Sequence, residues 1–282
     1  PFALVRIESG FFDMGSPNSG LGRQADEHLH KVFLTRDFQI MKYEVTQGLY
    51  QSVMDYNPSC FVGCGADCPV ECLSWFDSLA FANKVSESLS LPPCYEFTDI
   101  VCGDFLPGDS IDYCKFNAGI YDATVPVVGV STFYDCRGFR LPSEAEFEYA
   151  TRAGTNTAFY NGDISVEFCS PLDPNLDRIG WYCGNSGAAP NEIGLKEPNA
   201  QDVFDMSGNV SEWVWDWYDS NYYQLSPSVD PEGPDSGTDR ALRGGGWYGY
   251  AFAIRSANRL RFEPETRDYR TGFRVARTVV DK

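Results

Sequence analysis

Ten cysteines, all lying between Cys60 and Cys183, constrain this chain of 282 residues more than any other feature. They are Cys60, Cys64, Cys68, Cys72, Cys94, Cys102, Cys114, Cys136, Cys169 and Cys183, set among glycine, proline and aspartate. An even number in so loop-rich a setting points to disulfides made in an oxidising compartment. The competing chemistry is zinc, because Cys60, Cys64, Cys68 and Cys72 recur every fourth residue. Zinc knuckles more usually carry a tight C-x2-C pair, and here a proline and several glycines intervene. The pairing does not follow from sequence, although Cys169 with Cys183 is the natural local pair. Such a chain is expected to be secreted or displayed on a cell surface.

Composition sets the outer bounds. Hydrophobic residues are 43% of the chain and aromatics 15%, which can supply a sizeable core. No run approaches the ~18 consecutive apolar residues of a membrane-spanning helix. A net charge of −18 leaves no basic surplus to neutralise phosphates, so nucleic acid is excluded as a partner. The acidity suits solubility in an extracellular or salty medium, and it also suits cation binding. Pro1 is followed by no charged-then-apolar leader, as expected of either a cleaved leader or a trimmed chain.

Along the chain, short elements alternate with long loops. Residues 2–16 predict a hairpin, with Leu4, Arg6 and Glu8 alternating before Ser9-Gly10 and a second apolar strand. Further strands are expected over Asp26–Leu34 and Phe38–Val45. His28 and His30, the only histidines, share one face of the first of these, where a metal pair would lack a third ligand. Thr46 can cap a helix from Gln47 to Met54. A second helix starts at Ser74-Trp-Phe-Asp77, sets Trp75, Leu79, Phe81, Ala82, Val85 and Leu89 roughly at i, i+3/i+4 spacing, and stops at Leu91-Pro-Pro. Residues 94–136 read as an irregular insertion stapled by disulfides. In Gly138–Gly154, Ser143 and Glu146 form a capping box, Phe147, Tyr149 and Ala150 supply a buried face, and Gly154 stands where a left-handed cap is wanted. Three short helices among many short strands, with no linker or repeat, predict a single α+β domain over residues 1–282.

Chemistry-bearing residues are few. Asp205 and Glu212 flank a Ser-Gly-Asn turn, and carboxylates with turn carbonyls are the oxygen ligands that calcium prefers; the plain alternative is a loop with Glu212 solvated. Asn209-Val-Ser211 is a glycosylation sequon, expected to be incidental in a tight turn. No G-x-S-x-G elbow, P-loop or dinucleotide fingerprint occurs, and two histidines cannot build a Ser-His-Asp triad or a three-histidine metal site. Asp216 with Asp219, or Glu263 with Glu265, could in principle pair as glycosidase acids, but read more simply as acidic surface.

Taken together, the motifs resemble the formylglycine-generating enzyme (sulfatase-modifying factor) family. The matching pieces are Gly10-Phe-Phe-Asp-Met-Gly-Ser16, Tyr43-Glu-Val-Thr46, Asn57-Pro-Ser59, Gly138-Phe-Arg-Leu-Pro-Ser-Glu144, Asp205-Met-Ser-Gly-Asn-Val-Ser-Glu-Trp213, Leu242-Arg-Gly-Gly245, Arg255-Ser-Ala257 and Gly272-Phe-Arg274. The resemblance implies a compact, C-type-lectin-like core. It also implies calcium held by Asp205, the carbonyls of Gly208 and Val210, and Glu212. Ser211 departs from the tryptophan usual there, without removing a ligand. Catalysis does not carry over: the oxidising members hold copper with two cysteines shortly after Arg-Gly-Gly, and here Gly246–Ile254 contains none. The iron-dependent relatives need three histidines. Neither copper nor iron is therefore expected.

Aromatics occupy the segment where those cysteines would stand. Trp247, Tyr248, Tyr250, Phe252, Leu260, Phe262 and Tyr269 lie in a glycine-rich loop or alternate with Arg259, Arg261 and Glu263, a pattern suiting a half-exposed face. Framed by Arg243-Gly-Gly and Arg255-Ser-Ala-Asn-Arg259, this also looks like the variable proteins of diversity-generating retroelements. The sequence thus predicts a non-catalytic, calcium-stabilised binding or display module recognising an extracellular protein or glycan. The alternatives are a structural subunit that self-associates in a surface assembly, and an enzyme using another site on the scaffold.

Overall fold

A computed structural model describes residues 2–102, 120–124 and 126–279. Three helices carry the caps that their sequences announce. Helix α1 (Gln47–Met54) is capped by Thr46, whose hydroxyl accepts from the Leu49 amide. Helix α2 (Trp75–Ser88) begins with a capping box between Ser74 and Asp77, and α3 (Glu144–Arg152) with one between Ser143 and Glu146. At the end of α3 the left-handed cap is Ala153 rather than Gly154, which follows with a positive φ of its own. Single helical turns occur at Leu176–Ile179 and Tyr222–Leu225.

The first two strands form, but not as a hairpin. Strand β1 (Leu4–Ile7) lies antiparallel to β4 (Phe38–Met41), whereas β2 (Gly10–Met14) pairs with β3 (His30–Leu34). The Glu8-Ser9 link cannot fold back because Asp37 holds it: its carboxylate accepts from the Ser9 amide and from Arg6. His30 points its Nδ1 at the His28 carbonyl and packs beside Tyr223, so the two histidines do not converge on a common point.

Strand β11 (Ala276–Thr278) completes a three-stranded sheet on the other edge of β4. A four-stranded sheet runs in the order β10 (Thr271–Phe273), β7 (Ser211–Trp217), β8 (Arg240–Arg243), β9 (Leu260–Phe262), with β10 parallel to β7 and the other pairs antiparallel. One apolar cluster packs α1 and α2 against Trp213, Leu242 and Phe273, and a second packs α3 against β2, β3 and β4. The insertion is not wholly irregular, since β5 (Thr98–Cys102) pairs with β6 (Ile120–Thr124).

The cysteines are cross-linked. Cys60–Cys72 encloses Cys64–Cys68, Cys94–Cys136 closes the insertion at its base, and Cys169 joins Cys183 as the sequence suggested. Cys102 is disulfide-bonded too, and Cys114 lies outside the described residues. The regular spacing from Cys60 to Cys72 is thus a nested pair of bridges. Glu71 beside it caps the loop, accepting from the amides of Cys60 and Phe61. Such bonds belong to an oxidising compartment. Among the described residues no helix is long and apolar enough to cross a membrane.

Candidate binding site

Arg243, Arg255 and Arg259 point inward from the C-terminal stretch, whereas its tyrosines Tyr248, Tyr250 and Tyr269 point outward. Arg243, at the end of β8, is wholly buried and bonds Glu144 and Glu148 of α3. Arg259 takes both oxygens of Glu144, and Arg255 takes both oxygens of Glu27. Buried glutamate is costly to ionise, yet Glu144 is held below its ordinary range because Arg259 and Arg243 outweigh the desolvation of burial. These cations therefore build the scaffold.

The chain reverses direction at Gly244 and Gly245, both left-handed, where a side chain at 245 would stand 2.5 Å from the Ala253 carbonyl oxygen. Beyond the buried Gly246 and Trp247 the chain comes to the surface at Tyr248. Tyr248, Tyr250 and Tyr269 are 61%, 49% and 41% exposed. Phe252, Leu260 and Phe262 are half-buried. Trp247 departs from the expected pattern and is only 4% exposed. Its amide donates to the Asn209 carbonyl and its carbonyl accepts from Ser186, so its ring lies under Phe61, Tyr248 and Tyr269 as a floor.

Tyr248, Leu260, Phe262 and Ala253 line a mainly apolar cavity of about 200 Å³, together with Gly245, Gly246, Gly249, Ser211, Arg270 and Thr271. Thr271 leaves its buried hydroxyl unpartnered there. Arg270, tied to Asp268, lies over the rings of Tyr248 and Tyr269. The C-terminal stretch alone does not show two further members. Phe61, next to Cys60, packs on Trp247 and Tyr269, and the exposed Phe168, next to Cys169, packs edge-on against Tyr250. Their only sequence signal is their place beside bridging cysteines.

The turn before β7 has a different character. Glu212 is fully buried rather than solvated, and both its oxygens accept from Arg274. Asp205 accepts from the Gly194 amide through Oδ2 and leaves Oδ1 buried without a partner. Burial pushes its carboxyl up to about 6. Glu44, which sequence reading passed over, is also buried here and pushed well up, first by burial and then by Asp205 and Glu212. It accepts from the Asn209 side chain and the Val210 amide. The turn is tight, since a side chain at Gly208 would meet the Trp181 carbonyl oxygen at 2.3 Å. Three carboxylates surround the Arg274 guanidinium and one oxygen is unsatisfied, but their oxygens do not all come within 4.8 Å of one another. Asn209 is wholly buried, which leaves the sequon no access to modification. Asp216, buried, accepts from the Glu144 amide at the start of α3 and does not pair with Asp219.

Fold and frame together define a disulfide-bonded α+β domain built on buried arginine–glutamate pairs. The sulfatase-modifying factor enzyme 1-like domain matches residues 2–279, and the chain belongs to that family. It is 30% identical over 261 residues to the chaperone protein LppX of Paenibacillus barcinonensis, covering 86% of this chain and 78% of that one. It is 34% identical over 167 residues to the formylglycine-generating enzyme of Streptomyces coelicolor, covering 54% of this chain and about half, 52%, of the enzyme. Among solved structures, Treponema denticola variable protein 1 superposes with a TM-score of 0.77 at 32% identity, over 97% of this chain and 94% of that one.

Proposed function

We propose that this protein is a non-catalytic binding module, exported from the cell, that recognises an extracellular protein or glycan through the face formed by Tyr248, Tyr250, Tyr269 and the adjoining apolar cavity. The observation that carries this reading is the division of labour in one stretch of chain. Arginines that hold the fold point in, while aromatics with no core to fill point out. Tyrosine gives large contact area at small entropic cost, which is what a recognition face needs. The structural likeness to a Treponema denticola variable protein supports it. The family's enzymes set the rival reading, and the segment Gly246–Ile254 carries no cysteine to serve as a soft copper ligand.

Calcium bound by Asp205, the carbonyls of Gly208 and Val210, and Glu212 serves this module as a structural ion that neutralises buried charge behind the face. The binding reading is tested by probing a glycan array and a displayed library of extracellular protein domains with two proteins, the wild type and the triple variant Tyr248→Ser/Tyr250→Ser/Tyr269→Ser. Hits that the triple variant loses, while its unfolding curve is unchanged, are expected. Hits equally strong with both proteins would overturn the assignment to this face, and oxidation of a cysteine-containing sulfatase peptide by the protein would overturn the non-catalytic reading.

A further inference from the structure

Seven arginines among the described residues are at least nine-tenths buried, and six of them face glutamates. Arg240 is the exception. It is 6% exposed, yet among the described residues no carboxylate lies within ion-pair distance. Its guanidinium is clamped between two rings, 3.7 Å from the centroid of Trp75 and 3.5 Å from that of Trp217. Nη1 donates to the Trp215 carbonyl at 2.6 Å, and Nε is buried with no partner at all. Asp216 is close enough to favour the charged form, but its Oδ2 is spent on the Glu144 amide. Taking a cation out of water without a counter-charge costs several kcal/mol in most settings. A fold that pairs its other six buried arginines has left this one open.

Arg240 is also one of the residues that line a cavity. Arg240, Trp215, Trp217, Glu232, Gly233, Pro234 and Asp235 enclose about 210 Å³. It lies at the far end of β7 from the aromatic face: Ser211 lines that cavity and Trp217 this one, about 20 Å apart along the strand. The tryptophan rings do not offer a stacking platform. Trp215 is sandwiched by Tyr95 and Phe133, while Trp217 has Arg240 on one side and Gly237 in close contact. Recognition here must be polar. One cation at the base and two acids at the wall, Glu232 and Asp235, describe the complement of a ligand with a carboxylate at one end and hydrogen-bond donors at the other. A simple anion would be repelled by the acids, and a simple cation by the arginine. The volume falls short of the roughly 300 Å³ at which drug-sized sites begin, so the group is small.

We infer that this cavity is a second ligand site, which takes a carboxylate bearing ammonium or hydroxyl donors: a free amino acid or an acidic sugar. The carboxylate supplies the counter-charge that Arg240 lacks, and Glu232 and Asp235 accept from the donors. The site is independent of the aromatic face, and its ligand adds a second specificity to the molecule.

Calorimetry and indole NMR on the intact protein test this with glycine, glutamate, glucuronate, N-acetylneuraminate, acetate and sulfate as probes. Saturable one-to-one binding by the amino acids or by the acidic sugars, but not by acetate or sulfate, is expected, with the Trp215 and Trp217 indole signals shifting and that of Trp247 fixed. Which group binds identifies the source. Arg240→Met, which keeps an apolar filler between the rings, is expected to weaken binding at least tenfold. Glu232→Gln is expected to weaken the amino acids more than the sugars. Should Arg240→Met fail to fold, the indole shifts of the wild type decide. No binding by any donor-bearing carboxylate, binding that survives in Arg240→Met, or shifts confined to other tryptophans would each overturn the assignment.

Discussion

At the scale of single residues, the outward aromatics and the inward cations should separate cleanly in their energetics. Tyr248→Ser and Tyr269→Ser remove exposed rings, so each is expected to change stability by no more than about 0.5 kcal/mol in urea titration. Glu144 is the opposite case, since it serves Arg243 and Arg259 together. Glu144→Ala strands the buried guanidinium of Arg259, leaves Arg243 with Glu148 alone, and is expected to cost about 3–5 kcal/mol. Its titration has a definite sign. The folded-state pKa lies below the unfolded value, so its stabilisation is whole above the ordinary carboxylate range and is lost as pH falls through and below it. Urea unfolding across acidic pH should therefore show a slope that flattens in Glu144→Gln. None of this was legible beforehand. Glu144 and Glu148 stand one turn apart in α3 like the polar face of an exposed helix, and only their partners, up to 115 positions away, make burial tolerable.

At the scale of elements, what the sequence made plain was local chemistry. Thr46, Ser74 and Ser143 announce their helices because a cap acts within one turn, and Ser143→Ala is expected to cost about 1 kcal/mol by thermal melting. Strand pairing was harder to read. Glu8-Ser9 looks like a hairpin link, yet β1 and β2 join different sheets, because partners are chosen by contacts from residues 37–41 and 276–278 that no local window contains. The loop from Cys60 to Cys72 shows how a cross-link serves the candidate face. It fixes Phe61 beneath Tyr269, so Cys60→Ser/Cys72→Ser should cost about 2–4 kcal/mol and should loosen Phe61 more than Tyr250 in side-chain NMR. Trp247 was misread for a related reason. Alternation in sequence says that a residue is near a surface, and the turn at Gly244-Gly245 decides which ring becomes the floor.

Over the whole molecule, family and α+β class followed from motifs spread along nearly the full chain, whereas the charge balance of the interior needed coordinates. The cluster sets three buried acids, Glu44, Asp205 and Glu212, against one arginine, Arg274, and burial makes each acid costly to ionise without a further cation. Calcium should therefore raise the melting temperature, a chelator should lower it, and Asp205→Asn should abolish the response. Equal melting with and without the ion would exclude calcium from this position.

The joining of β11 to β4 has a consequence for how the protein is made. Residues 38–41 sit in the middle of their sheet and need residues 276–278 as a partner, and Arg255 must find Glu27 across 228 positions. Folding is thus a late event, governed by closure over very long separations and correspondingly slow. Until residues 276–278 emerge from the ribosome, β4 keeps an open edge, the kind of unpaired strand that makes a partly made chain prone to aggregate.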